Sequence, residues 1–169
     1  VLVSDNCVGT SVIGPVDVFN IANDIWKHLE KEKVKPLFNI RMVSFTNQKV
    51  KTSSGVIIEP EMKLSDLNNC DLLLLPSYHY DSKNSFNEFV IQQRKAYKDI
   101  HRLYKNGAMI GASCSGTFLL ADSGLLDNAK ATTSWWLQHQ FKASFPQVRL
   151  VMNELVVEYN NVFSAGSTT

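Results

Sequence analysis

Gly111-Ala-Ser-Cys-Ser-Gly116, continued by Thr117-Phe-Leu-Leu-Ala-Asp-Ser-Gly124, is the stretch whose reading decides the fold. An apolar strand, Ala108-Met-Ile-Gly-Ala112, runs into a cysteine between small residues and then directly into a short apolar helix. That is the sequence form of a nucleophile elbow. A strand-to-helix turn this sharp strains its central residue and needs small neighbours, here Ala112 and Gly116, so that the backbone can pass closely. It also sets the Cys114 sulfur at a helix N-terminus, where the helix dipole favours thiolate over thiol. The alternative for the same residues is a buried cysteine acting as a small hydrophobe at a strand end.

Outward from the elbow, strands and helices alternate, the signature of a parallel sheet covered on both faces. Val1–Ser4 predicts the first strand. Pro15 is expected to open a helix with Val18, Phe19, Ala22, Ile25, Trp26 and Leu29 at core spacing, ended by Lys35-Pro36. Phe38–Phe45 predicts a strand, and Val50–Glu59, centred on Ser53-Ser-Gly55, an antiparallel excursion. Cys70-Asp-Leu-Leu-Leu-Leu75 has the apolar run of a central parallel strand, stopped by Pro76. One long helix is expected over Ser85–Lys105, capped by Asn106-Gly107, with Gly124 as a second cap. Ala131–Thr133 predicts a strand, Trp135 to about Ala143 a helix, and Val148–Leu150 and Leu155–Tyr159 the last strands. In such a sheet, ligands bind beyond the carboxyl ends of the strands. Four segments are expected to converge there: Asp5–Gly14, Ser77-Tyr-His-Tyr80, the Cys114 elbow and Thr132-Thr-Ser-Trp135, forming a pocket of hydroxyls and aromatics suited to a small polar organic ligand.

The chain has 169 residues, 44% of them hydrophobic, which suits one domain with its own core. Its net charge of +1 and the lack of a basic stripe argue against a nucleic-acid surface on this segment. Three widely spaced cysteines, Cys7, Cys70 and Cys114, argue against a disulfide framework and for a reducing, cytoplasmic setting. No apolar run approaches membrane-spanning length, and neither His-x-x-x-His nor Cys-x-x-Cys occurs, so neither a membrane partner nor a metal or other cofactor is expected. The chain begins without Met inside a strand-like segment and stops in the turn-like Ser164-Ala-Gly-Ser-Thr-Thr169. Both ends therefore read as cut from something longer.

Ala112-Ser-Cys-Ser-Gly-Thr-Phe-Leu-Leu-Ala121, Ser123-Gly-Leu-Leu-Asp127 and Ala131-Thr-Thr-Ser-Trp135 together resemble the ThiJ/PfpI superfamily, DJ-1-like proteins with a fold like that of class I glutamine amidotransferases. More narrowly, with Gly14-Pro-Val-Asp-Val-Phe-Asn-Ile-Ala-Asn23 and Val162-Phe-Ser-Ala-Gly-Ser-Thr168, the chain resembles the amino-terminal domain of AraC-type transcription regulators. The resemblance implies an α/β three-layer sandwich with a mostly parallel central sheet, flavodoxin-like or amidotransferase-like. It places the family's nucleophilic cysteine on Cys114 and its nearby acidic residue on Asp17. Two departures stand out. Ser134 occupies the position of the histidine found in many relatives, and serine is no general base near neutral pH. Ser77-Tyr78 replaces the small glycine-type residues whose amides bind an oxyanion, although the Ser77 and Ser115 amides remain candidate donors. Of the four histidines, His28 and His101 are expected at the surface, His139 faces an undetermined direction, and His79 is the one the topology places near Cys114.

Three functions follow from these residues. The first is a sensor module that binds a small effector and forms a homodimer, with Ser77, Tyr78, Ser115, Ser134 and Trp135 joining Cys114 and Asp17 in ligand contact. DNA would then be bound only by a helix-turn-helix domain outside this chain. The second is a cysteine hydratase, glyoxalase-like lyase or amidase using Cys114 and Asp17, with His79 as a candidate base. The third is redox sensing through oxidation of Cys114.

Overall fold

Four consecutive leucines leave no polar side to turn to water, and β5 (Leu72–Leu75) accordingly lies inside the sheet. In the computed structural model, which describes residues 1–30 and 34–166, β5 is followed in space by β6 (Met109–Ser113), β10 (Val162–Ala165) and β9 (Val156–Tyr159). β5, β6 and β10 are parallel, and β9 is antiparallel to β10. On the other side of β5 the N-terminal segment continues the layer. The Leu2 amide bonds the Leu74 carbonyl at 2.9 Å, and the Val3 amide bonds Val43 of β1 (Val43–Ser44) at 2.8 Å. β1 in turn pairs with β4 (Met62–Lys63) in parallel.

The register sorts side chains by face. Leu73 and Leu75, opposite Ile110 and Ala112, with Val162 beside Ile110, point to a fully buried side. α2 (Lys83–Gln93), α3 (Tyr97–Lys105), α4 (Gly116–Asp122) and α5 (Gln138–Ser144) supply the aromatic packing of the core. Phe118 meets Phe86 edge-on at 4.6 Å and Phe141 at 4.9 Å, geometries that ring quadrupoles favour. α1 (Gly9–Leu29) is tied to the loop after β5 by its Ser11 hydroxyl, which accepts the Ser77 amide at 2.9 Å. The result is an open α/β sandwich of the flavodoxin type.

Several expectations are corrected. α1 begins at Gly9, so Pro15 lies inside the helix and most of the expected loop Asp5–Gly14 is helical. The first helix buries only Gly9 and Val12; Val18, Ile21, Ile25 and Leu29 are each more than half exposed, and Phe19, Ala22 and Trp26 are half-buried. Its apolar spacing is real, but only the first turns reach the core. The helix ends at Leu29, and the strand expected over Phe38–Phe45 is reduced to Val43–Ser44, with Phe38 tied to Asn23 of α1 by reciprocal bonds of 2.9 Å. The long helix breaks at a 3-10 turn, Arg94–Ala96, from which Arg94 and Tyr97 both reach Asp122. Trp135–Leu137 is likewise a 3-10 turn ahead of α5. The antiparallel excursion is present as β2 (Val50–Lys51) and β3 (Ile57–Ile58), turning at Gly55 with φ 86°. The expected strands near Ala131 and Leu150 form the short parallel pair β7 (Lys130–Ala131) and β8 (Arg149–Leu150). β10, which the sequence does not announce as a strand, occupies the middle of the sheet.

Candidate functional site

At the end of β6 the backbone turns sharply into α4, and Cys114 takes φ 52°, a left-handed conformation costing a non-glycine residue about 1–3 kcal/mol. Neighbouring elements hold it there. Its amide donates to the Ala165 carbonyl of β10 at 2.9 Å, and its carbonyl accepts Thr133 Oγ1 at 2.8 Å. Gly116 explains how the turn fits: a Cβ at that position would stand 2.5 Å from the Pro76 carbonyl oxygen and 3.0 Å from that of Leu75. Backbone at the end of β5 thus fills the space that any side chain would need.

The loop after β5 is stapled to the elbow through Ser115, whose Oγ accepts the Tyr78 amide at 2.7 Å and donates to the Tyr78 carbonyl at 3.0 Å. Ser77 Oγ lies 3.1 Å from Ser113 Oγ and donates to the Ser113 carbonyl. Tyr78 is buried, and its phenol is driven well above the usual tyrosine range by desolvation. Ser4 Oγ donates to its hydroxyl at 3.4 Å. Cys7 forms an isolated bridge with Tyr78, and burial pushes its thiol up, as it does that of Cys70.

These contacts frame a cavity of about 620 Å³ over Cys114, which is 9% exposed. The hydroxyl-bearing residues Thr10, Ser11, Ser77, Ser113 and Ser115 are among those that line it, and Tyr80 and Trp136 add aromatic surface. Among the described residues lining it there is no carboxylate or ammonium group, and His79 supplies the sole imidazole. Such walls suit an uncharged ligand that hydrogen-bonds and stacks.

The residues expected from sequence are distributed unevenly. Cys114, Ser77, Tyr78, Ser115 and His79 all line the cavity. His79 is largely exposed, with Nδ1 3.7 Å from Asp81 Oδ1. Asp17 is exposed on α1, about two turns beyond Thr10 and Ser11, and is not among the lining residues. Ser134 is buried and also outside the lining, while Trp135 is turned to solvent and its neighbour Trp136 lines the cavity instead. The Ser77 amide, a candidate oxyanion donor, is already bonded to Ser11. His28 and His139 are exposed, and His101 bonds the Ser123 carbonyl at 2.8 Å. Sequence reasoning identified three of the four converging segments, without singling out Thr10, Ser11 and Ser113 within them; no residue of Thr132–Trp135 lines the cavity, which Trp136 and Leu137 border instead. Hydroxyl-rich composition was the available signal; which hydroxyls face inward depends on helix phase. Among the described residues, no group of three His, Cys, Asp or Glu side chains is placed to hold a metal ion, and no helix is long and apolar enough to cross a membrane.

Comparison with known proteins places this geometry among relatives. The family described as DJ-1/PfpI matches residues 1–169. The HTH-type transcriptional regulator CdhR of Pseudomonas aeruginosa is 25% identical over 132 residues, covering 78% of this chain but only 37% of that regulator. The chain thus spans little more than a third of that relative's length. A Vibrio parahaemolyticus protein classed as a transcriptional regulator superposes with TM-score 0.79 at 21% identity, over 97% of this chain and 80% of its own. An AraC family transcriptional regulator from Pseudomonas putida superposes with TM-score 0.67 at 16% identity, over 98% and 81%.

Proposed function

The chain belongs to the DJ-1/PfpI family, and on that premise we propose that it is the effector-binding and dimerisation module of an AraC-type transcription regulator, binding its ligand without turning it over. The observation that carries this reading is the commitment of the Ser77 amide to Ser11 Oγ at 2.9 Å, where an acyl-transfer enzyme would keep an oxyanion donor open. Ser134 at the family's histidine position and the outward pairing of His79 with Asp81 support it. So does the similarity to regulators. The effector is a small uncharged polar molecule seated on the serine and threonine hydroxyls and packed against Trp136. DNA is contacted by a helix-turn-helix domain outside this chain.

The exposed stripe Val18, Ile21, Ile25 and Leu29 on α1 supports a homodimer formed across that helix. Light scattering on the intact protein tests it: Ile21→Asp with Ile25→Asp is expected to halve the mass, and an unchanged mass would refute this interface.

One observation favours a second reading, a cysteine-dependent hydratase, lyase or amidase using Cys114 without the exposed Asp17: the elbow holds Cys114 at φ 52°. Cys114→Ala separates the two. A sensor keeps its effector-dependent DNA binding within about threefold, since a small thiol contact is worth under about 1 kcal/mol. An enzyme loses all turnover.

A further inference from the structure

The four serines bordering the cavity over Cys114 (Ser11, Ser77, Ser113 and Ser115) all direct their hydroxyl protons into the protein. Ser11 donates to the Val8 carbonyl at 2.7 Å, and Ser115 to that of Tyr78 at 3.0 Å. Ser77 donates to the Ser113 carbonyl at 3.1 Å, which leaves the Ser113 hydroxyl as donor across the 3.1 Å to Ser77 Oγ. A hydroxyl has one proton and two lone pairs. Any of these oxygens that a ligand reaches can therefore only accept.

Tyr80 is placed differently. It borders the same cavity and is half-buried, its ring packed on the buried Phe86 with centroids 4.3 Å apart. Its hydroxyl makes no hydrogen bond among the described residues. Burial raises the phenol above its ordinary value and the nearby Cys114 thiolate adds to the rise, so the group stays protonated and faces the sulfur's surroundings as a donor. The other donors at this border, Thr10, His79 and Trp136, stand at exposed positions.

We propose that Tyr80 is the specificity-determining residue of this site and that the effector it selects is a neutral amide or lactam. The effector's carbonyl oxygen accepts from the Tyr80 hydroxyl, its N–H donates to a serine oxygen, and its flat amide group lies on Trp136. A carboxylate would meet serine oxygens that have no proton to offer, and an ammonium would find no carboxylate in the lining. A ketone or ether leaves the serine lone pairs unmatched. An alcohol carries both functions on one atom and has no flat face for the indole. The assignment rests on the reading of this cavity as an effector site.

The tryptophans provide the reporters. 2-Piperidinone is titrated to about 50 mM into the intact protein labelled at the indole nitrogens, since a fragment of this size is expected to bind with a Kd of about 1–10 mM. A saturable shift is expected for Trp136 and none for Trp26, which is not among the lining residues. Tyr80→Phe keeps the ring on Phe86 and is expected to weaken binding about fivefold. 1-Methyl-2-piperidinone, which lacks the N–H, is expected to bind the parent protein about fivefold more weakly than the lactam. No saturable shift at Trp136, unchanged affinity in Tyr80→Phe, or equal affinity for the N-methyl compound or for cyclohexanol would each overturn the proposal, and would leave the sensor reading standing. Opening of the lactam ring, seen in the spectrum of the probe, would instead refute binding without turnover while supporting the amide class.

Discussion

Replacing Gly116 by alanine puts one methyl group against fixed backbone. The new Cβ would meet the Pro76 carbonyl oxygen at 2.5 Å, the Leu75 carbonyl oxygen at 3.0 Å and the Pro76 carbonyl carbon at 3.3 Å. None of these can rotate away as a side chain would. They belong to Leu75, the last residue of β5, and to Pro76 just after it; β5 is locked in register with β6, and the adjoining loop is stapled by Ser115. Overpacking of this kind costs about 1–3 kcal/mol, and contact with backbone belongs at the upper end. Alanine in a helix recovers about 1 kcal/mol relative to glycine, leaving a net loss of about 2 kcal/mol. Gly14 is the internal control: it lies in α1 with no atom within 4 Å of its would-be Cβ, so Gly14→Ala should stabilise by about 0.5–1 kcal/mol. Urea unfolding followed by fluorescence measures both. At a slope of about 2 kcal/mol per molar urea, the Gly116→Ala midpoint falls by about 1 M, while that of Gly14→Ala rises by a few tenths. A Gly116→Ala midpoint equal to that of the parent would show that the elbow is not packed against β5 as described, and the account of Cys114 would fall with it.

Two further outcomes follow from specific bonds. Ser115→Ala removes both bonds to Tyr78 and leaves a buried amide unpaired, so unfolding stability should drop by about 2 kcal/mol; a loss below about 0.5 kcal/mol would mean that water replaces the hydroxyl. The Arg94 guanidinium, aided by the Tyr97 hydroxyl, holds the Asp122 carboxyl below its usual range. A carboxylate depressed in the folded state contributes stability above its unfolded pKa and loses it as pH falls through the folded one. Comparing the parent with Asp122→Asn in acid unfolding should therefore show a stability difference at neutral pH that shrinks below about pH 4. A difference that persists unchanged at pH 2 would contradict this.

The elbow was legible because its chemistry is local. Small residues around Cys114 and a strand running into a helix are consequences of one tight turn, and each leaves its mark within a few positions. The Leu72–Leu75 strand was legible for the same reason. α1 was misread at its start because proline is usually a helix opener, whereas here a helix begins six residues before Pro15. Its apolar spacing predicted burial, which requires something to pack against; in the described structure its later turns face solvent. β10 was missed because Val162-Phe-Ser-Ala165 carries too short and mixed a pattern to declare itself, and its strand state comes from lying between β6 and β9.

By itself the sequence determined the alternating α/β plan, the position of Cys114 at a strained turn and the segments that meet around it, since each depends on contacts between near neighbours or on periodicity along one element. Only the tertiary structure decided which hydroxyls surround the sulfur, that Ser11 claims the Ser77 amide, that Asp17 stays at the surface, and that Tyr80 packs on Phe86 beside the cavity over Cys114. Those outcomes depend on helix phase and strand register between segments distant in the chain, where a rotation of one residue sends a side chain to the opposite face.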